Sequence, residues 1–168
     1  SRMRISRAME SAFRAQKKYE DEVYDEGLRY IEYADKNGLT IAVLSGRPYH
    51  IDPEINHGIN QLIASCEMAV ITEDVAARLA EVPQVNVLNQ WTYHSRMYAS
   101  AEYVKNKQNA QLIQLVSFGC GIDSITSDEI RSIVEESGKI YTQLKIDEIN
   151  NLGAARIRIR SLKAAIDR

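Results

Sequence analysis

Residues 39–50 read LTIAVLSGRPYH. The first six are apolar and rich in β-branched side chains, the composition of a buried strand. Ser45, Gly46 and Pro48 then end the run with turn formers. Residues 57–65 resume with Ile59, Leu62 and Ile63 at helical spacing. A strand that runs through a loop into a helix is the repeating unit of an α/β fold, and the chain repeats it.

Residues 68–71 read as a short strand. Thr72 stands where an N-cap would open a helix over 73–80, with acidic residues in its first turn. QVNVL (84–88) alternates like a short strand. Residues 92–105 read as helix and 112–118 as a buried strand. Gly119 and Gly121 bracket a tight turn. Thr126 or Ser127 is expected to cap a helix that ends at Gly138, and 139–146 read as the last strand. In the tail, ARIRIR alternates with period two. Leu152, Ala155, Ile159, Leu162 and Ile166 nevertheless share one helical face, so 151–167 is expected as helix. Upstream, residues 4–36 carry a helical period, with Gly27 as a possible break and Asn37-Gly38 as the stop. Strands alternating with helices imply parallel βαβ units. The expected fold is therefore an α/β, Rossmann-like three-layer sandwich. It has a mainly parallel sheet of about four strands and a long N-terminal helix. A helical segment over 1–38 would precede an α/β domain over 39–168. Both ends fall inside helical patterns, which suggests a piece of a longer multidomain protein.

The chain has 168 residues, 45% hydrophobic and 26% charged, with a net charge of −2. That composition supports a real core and excludes a disordered chain. A pI near 5.9 argues against a dedicated nucleic-acid binder. No apolar run is long enough to span a membrane. No secretory leader is evident, and the two cysteines, Cys66 and Cys120, form no disulfide framework. A cytoplasmic location is the default expectation. Neither cysteine belongs to a CxxC pair, so the chain alone spells no complete zinc or iron–sulfur site.

Ligands of open α/β sheets bind beyond the carboxyl ends of the strands. Two loops qualify. In the first, Gly46 allows close backbone approach, Arg47 offers a planar fork for phosphate or carboxylate, and His50 and His57 are potential proton carriers. Equally, these polar groups can cap the next helix and bond one another. The spacing of His50, Asp52 and His57 matches no metal-ligand motif. In the second loop, Cys120 lies between Gly119 and Gly121 directly after the strongest strand. It is either a nucleophile or metal ligand, or a small half-buried thiol in a turn. A phosphatase-type loop would need an arginine where Thr126 stands. Gly119-x-Gly121-x-x-Ser124 is a partial dinucleotide fingerprint, with Asp147 and Glu148 after the next strand. Arg156, Arg158, Arg160 and Lys163 make the last helix basic, either as a solvated face or as a contact for coenzyme A phosphates. Trp91, Tyr93, His94, Ser95 and Arg96 either flank a ligand or pack a helix start, and Cys66 is expected in the core.

GRPYHIDPEINHGI, WTYHSR, SFGCGIDSITSDEI and KIDEINNLGAARIRIRSLKAAI together resemble a domain of large proteins related to activators of 2-hydroxyacyl-CoA dehydratases. In such proteins ATPase-like activator modules are joined to a region similar to the dehydratase D-component. The resemblance spans roughly 39–168, and the N-terminal helix adds little to it.

What the resemblance implies is a set of expectations. Such dehydratases hold a 4Fe-4S cluster through cysteines in loops after strands, and an ATP-driven activator delivers the electron. FGCGID resembles their strand followed by a Phe-Cys pair and an Asp, although Gly119 separates Phe118 from Cys120. Cys120 is thereby implied as a metal ligand. Ser45, Gly46, Arg47, Tyr49, His50, Gly119 and Gly121 are implied as ligand or substrate loop. The expected partners are the other modules of the same chain, both ATPase-like activator and dehydratase-like domains, and acyl-CoA. Neither nucleic acid nor membrane is expected. The remaining cluster ligands and the ATP site would lie elsewhere, so the fragment alone would be inactive. The alternatives are a non-catalytic docking domain and a nucleotide-binding domain.

Overall fold

A computed structural model describes residues 2–117, 119–146 and 152–167. Four strands form one parallel sheet: β1 (Thr40–Ser45), β2 (Met68–Thr72), β3 (Ala110–Val116) and β4 (Thr142–Lys145), in the order β2-β1-β3-β4. Helices cover both faces. The long α1 (Arg2–Asn37), the short α4 (Glu73–Ala76), α5 (Thr92–Asn106) and α6 (Gly121–Glu135) form one layer. On the other face lie α3 (Ile59–Ala64) and α7 (Gly153–Ile166). A 3₁₀ turn (Pro48–Ile51) and the single-turn α2 (Pro53–Asn56) lead from β1 to α3. The expected α/β sandwich is what the chain forms.

Strand alternation divides the core in two. Ile41, Val43, Ala110 and Leu112 face the α1/α5/α6 layer. Their neighbours Ala42, Leu44, Ile113 and Leu115 face α3 and α7. Both faces of β1 are therefore apolar, as are those of β3 apart from the buried Gln111 and Gln114, which is why these segments read as mainly hydrophobic runs. The tail is helical because Ala155, Ile159 and Leu162 bury one face against that second core, with Leu152 and Ile166 packed at its edge. A strand there would have turned half of these residues away.

Several local expectations are corrected. Gly27 does not break α1, which runs unbroken from Arg2 to Asn37. Residues 84–88 form no strand. Val85 and Val87 pack against the core edge while the Asn86 N–H donates to Glu129 Oε2 at 3.1 Å, so the alternation reflects packing without a sheet partner. Residues 57–65 are shorter as helix than expected, since His57 and Gly58 both take left-handed conformations between α2 and α3. The helix after Thr72 closes at Ala76, and the Thr72 hydroxyl donates to the Asp74 carboxylate instead of capping the helix backbone. Nor do Thr126 and Ser127 open a helix. The helix begins at Gly121, and Ser127 is buried inside it, accepting from the amides of Gln114 and Gln143 at 3.1 Å each. Its hydroxyl ties α6 to β3 and β4, and that tertiary demand is why a good capping residue stands mid-helix.

Among the described residues no helix is long and apolar enough to cross a membrane.

Candidate functional site

The sheet order decides where a ligand site belongs. The chain passes from β1 outward to β2, and from β3 outward to β4. The crossover direction reverses between β1 and β3, so the crevice beyond their carboxyl ends is the topological switch point. The loops starting at Ser45 and Ser117 follow these two strands and meet there.

They meet through side chains. Arg47 Nη2 and Nε donate to Asp123 Oδ1 at 2.8 and 3.2 Å, and Nη2 also reaches Cys120 Sγ at 3.3 Å. Asp123 comes from the first turn of α6 and is mostly buried. A second cluster forms around Ser117. Its Oγ lies 3.1 Å from His50 Nε2 and 2.9 Å from the Tyr49 hydroxyl.

His50 is 1% exposed. Its Nδ1 accepts the Arg47 backbone N–H at 3.0 Å. Nδ1 is therefore unprotonated in the neutral ring, and Nε2 carries the proton it donates to Ser117. With both nitrogens engaged inside the loop, the ring braces the turn between β1 and the 3₁₀ segment. Gly46 makes room for it, since a Cβ there would lie 2.5 Å from His50 Nδ1. Gly119 and Gly121 are different. A Cβ at either would meet nothing within 4 Å, so neither is required by close packing. His57 is exposed on the αL turn after α2.

Cys120 is the N-cap residue of α6 and is half-buried. Backbone N–H groups of Asp123 and Ile122, and then the Arg47 guanidinium, hold its thiol below the ordinary range; desolvation and the Asp123 charge oppose them. A helix N-terminus and a cation both favour a thiolate. Alkylation of Cys120 by iodoacetamide is therefore expected to have a pH midpoint below that of a free thiol. Arg47→Met moves the midpoint up, and Asp123→Asn moves it down. An unchanged midpoint in both variants would show that these side chains do not set the thiol's charge.

Asp123 and Ser117 were not among the expected ligand residues of this crevice, and His94 was one of five residues expected either to flank a ligand or to pack a helix start. His94, from the first turn of α5, puts Nε2 3.9 Å from Asp123 Oδ1. Burial lowers its pKa, against the Asp123 charge, so the ring is held neutral. Both His94 nitrogens, Asp123 Oδ2 and Ser45 Oγ are buried with no hydrogen-bond partner among the described residues. Four such atoms beside one crevice are unusual in a folded protein, where buried polar groups are nearly always paired. The available signal for Asp123 was an acidic residue in the first turn of a helix that follows a strand-end loop.

Cys66 is half-buried at the end of α3, before β2 begins. It therefore lies at the amino edge of the sheet, whereas Cys120 lies at the carboxyl edge. A strand's length, roughly 15–20 Å, separates these edges. Among the described residues no group of three or more His, Cys, Asp or Glu side chains gathers to hold a metal ion. A cluster commonly takes four cysteine ligands, so the described residues of this chain do not fit one by themselves. Asp147 and Glu148 lie outside the described residues.

Residues 1–76 match a family described as the CoA enzyme activase uncharacterised domain (DUF2229). The match takes in α1, the GRPYH loop, β2 and α4. It differs in extent from the resemblance over 39–168: the N-terminal helix belongs to it, and WTYHSR, SFGCG and the last helix lie beyond it. No curated protein and no solved structure matches the chain.

Proposed function

We propose that this chain is the α/β module of a 2-hydroxyacyl-CoA dehydratase or activator-type protein. In this reading it contributes one thiolate, from Cys120, to a 4Fe-4S cluster completed by cysteines of other modules. The observation that carries the reading is the thiolate-favouring setting of Cys120 at the switch point, between the α6 N-terminus and Arg47. Metal ligation requires the deprotonated sulfur. The activase-type match over residues 1–76 supports the family context. Ser45, Arg47 and the neutral His94 line the same crevice and would contact the acyl-CoA thioester or a neighbouring module.

Dinucleotide binding is the weaker reading. The glycines of that fingerprint serve tight turns and close approach, and Gly119 and Gly121 have open space around them. Asp123 also places a carboxylate in the first turn of α6, where a pyrophosphate would need positive potential.

The test is anaerobic purification of the full-length protein, with iron analysis and EPR. Cys120→Ala is expected to lower bound iron and change the reduced-state spectrum, while Cys66→Ala leaves both intact. Iron content and spectrum unchanged in Cys120→Ala would remove the ligand role.

A further inference from the structure

The first half of α1 stands clear of the body. Residues 2–20 are all exposed; the body first touches the helix through Arg78, which donates to the Glu20 carbonyl and the Asp21 carboxylate at 3.2 Å each, and apolar packing begins with Val23 and Tyr24 and continues through Gly27, Ile31 and Ala34. Since α1 ends just before β1 starts, it runs antiparallel to the strands. Its free half therefore projects past their carboxyl edge for about 28 Å at 1.5 Å per residue.

That free half is patterned. Ile5, Met9, Ala12, Gln16, Tyr19 and Val23 alternate at three- and four-residue spacing, the seam of a two-helix coiled coil. Met9 is 52% exposed, Ile5 63% and Tyr19 59%. Charge divides along the same helix. Between residues 2 and 8 there are three arginines and no acid; between 20 and 26 there are five acids and no base. At the foot of the arm a cavity of about 610 Å³ opens between Gln16, Tyr19 and Val23 of α1 and Pro48 and Ile51 of the turn after β1.

We infer that a second copy of this chain covers the arm, as an antiparallel pair of α1 helices centred near Arg14. Antiparallel pairing about that point sets Ile5 against Val23, Met9 against Tyr19 and Ala12 against Gln16. The arginine-only segment of each copy then lies along the acid-only segment of the other, within a Debye length. Parallel pairing would put like charges side by side along both segments. The same register brings the partner's Ile5 to Val23, at the cavity beside Pro48 and Ile51. Gln16, polar within the seam, favours one register over its neighbours.

Sedimentation velocity on the whole chain and photo-crosslinking from benzoylphenylalanine at position 9 test this together. A dimer is expected, with crosslinks to the region of Tyr19 in the other copy. Met9→Asp, on a side chain that the body does not contact, raises the dissociation constant roughly tenfold or more. A monomer at ~100 µM overturns the inference. So does a dimer indifferent to Met9→Asp, and so do crosslinks from position 9 to position 9. If another module of a longer protein covers the arm instead, the chain alone is monomeric and the inference is overturned.

Discussion

Arg96→Met is expected to destabilise the chain more at pH 8 than at pH 5, by about 1 kcal/mol. Glu73 opens α4 directly after β2, and it is 2% exposed. Its carboxylate is paired with the Arg96 guanidinium of α5. Burial raises the Glu73 pKa to about 7; Arg96 lowers it and Asp74 raises it. Burial is the larger effect, so even the intact pair does not keep the carboxyl in its ordinary range. Without Arg96 an ionised Glu73 would be a buried charge with its counter-ion gone, so at pH 8 the variant binds a proton instead, which limits the added loss to about 1.36 kcal/mol for the one unit between pH 8 and the folded-state value of about 7. At pH 5 the folded-state carboxyl is already protonated, and only the guanidinium's hydrogen bond to a neutral carboxyl is lost.

The sign follows from linkage. The folded-state value of about 7 stands above the unfolded value of 4.5. The folded state therefore binds the extra proton between these pH values. Stability from this group is complete below pH 4.5 and declines as pH rises through 7, by about 3 kcal/mol at 1.36 kcal/mol per unit. Glu73→Gln should flatten this part of the profile and should also remove the extra Arg96→Met loss that appears at pH 8. Urea unfolding of the four chains at pH 5 and pH 8 decides it. An Arg96→Met loss equal at both pH values would mean that Glu73 does not titrate in this window.

The architecture was legible because it follows from apolar periodicity. The buried runs before Ser45 and Ser117 and the single apolar face from Leu152 to Ile166 each have one structural solution. What was misread depended on neighbours distant in sequence. Ser127 looks like a cap until the amides of Gln114 and Gln143 reach it from two strands. Val85 and Val87 look like strand residues until they are seen lying on the core edge without a ladder. The site divides in the same way. Its two loops announce themselves by glycines at strand ends. The Arg47–Asp123 contact joins residues 76 apart, and it exists only because β1 and β3 are neighbours in the sheet. No local pattern carries that information.

Gly27 is the position where this matters most. Read locally, it weakens a helix by about 1 kcal/mol relative to alanine. In the fold it is buried against α4, and a Cβ there would lie 2.4 and 2.6 Å from the two methyl carbons of Val75. Valine in a helix has little rotamer freedom with which to yield. Gly27→Ala therefore gains helix propensity but forces α1 off α4, for an expected net loss of about 1–3 kcal/mol. Gly27→Leu should cost more and should loosen the packing of Val23, Ile31 and Ala34. Val75→Ala removes both obstructing methyl groups. In the Gly27→Ala/Val75→Ala double variant the new methyl fills part of the space vacated. The two losses should then combine to less than their sum by about 1 kcal/mol or more. Strict additivity in urea titrations would show that the helices do not meet here. A coupled result would establish that this glycine sets how closely α1 approaches α4, and with it the direction in which the free arm leaves the body.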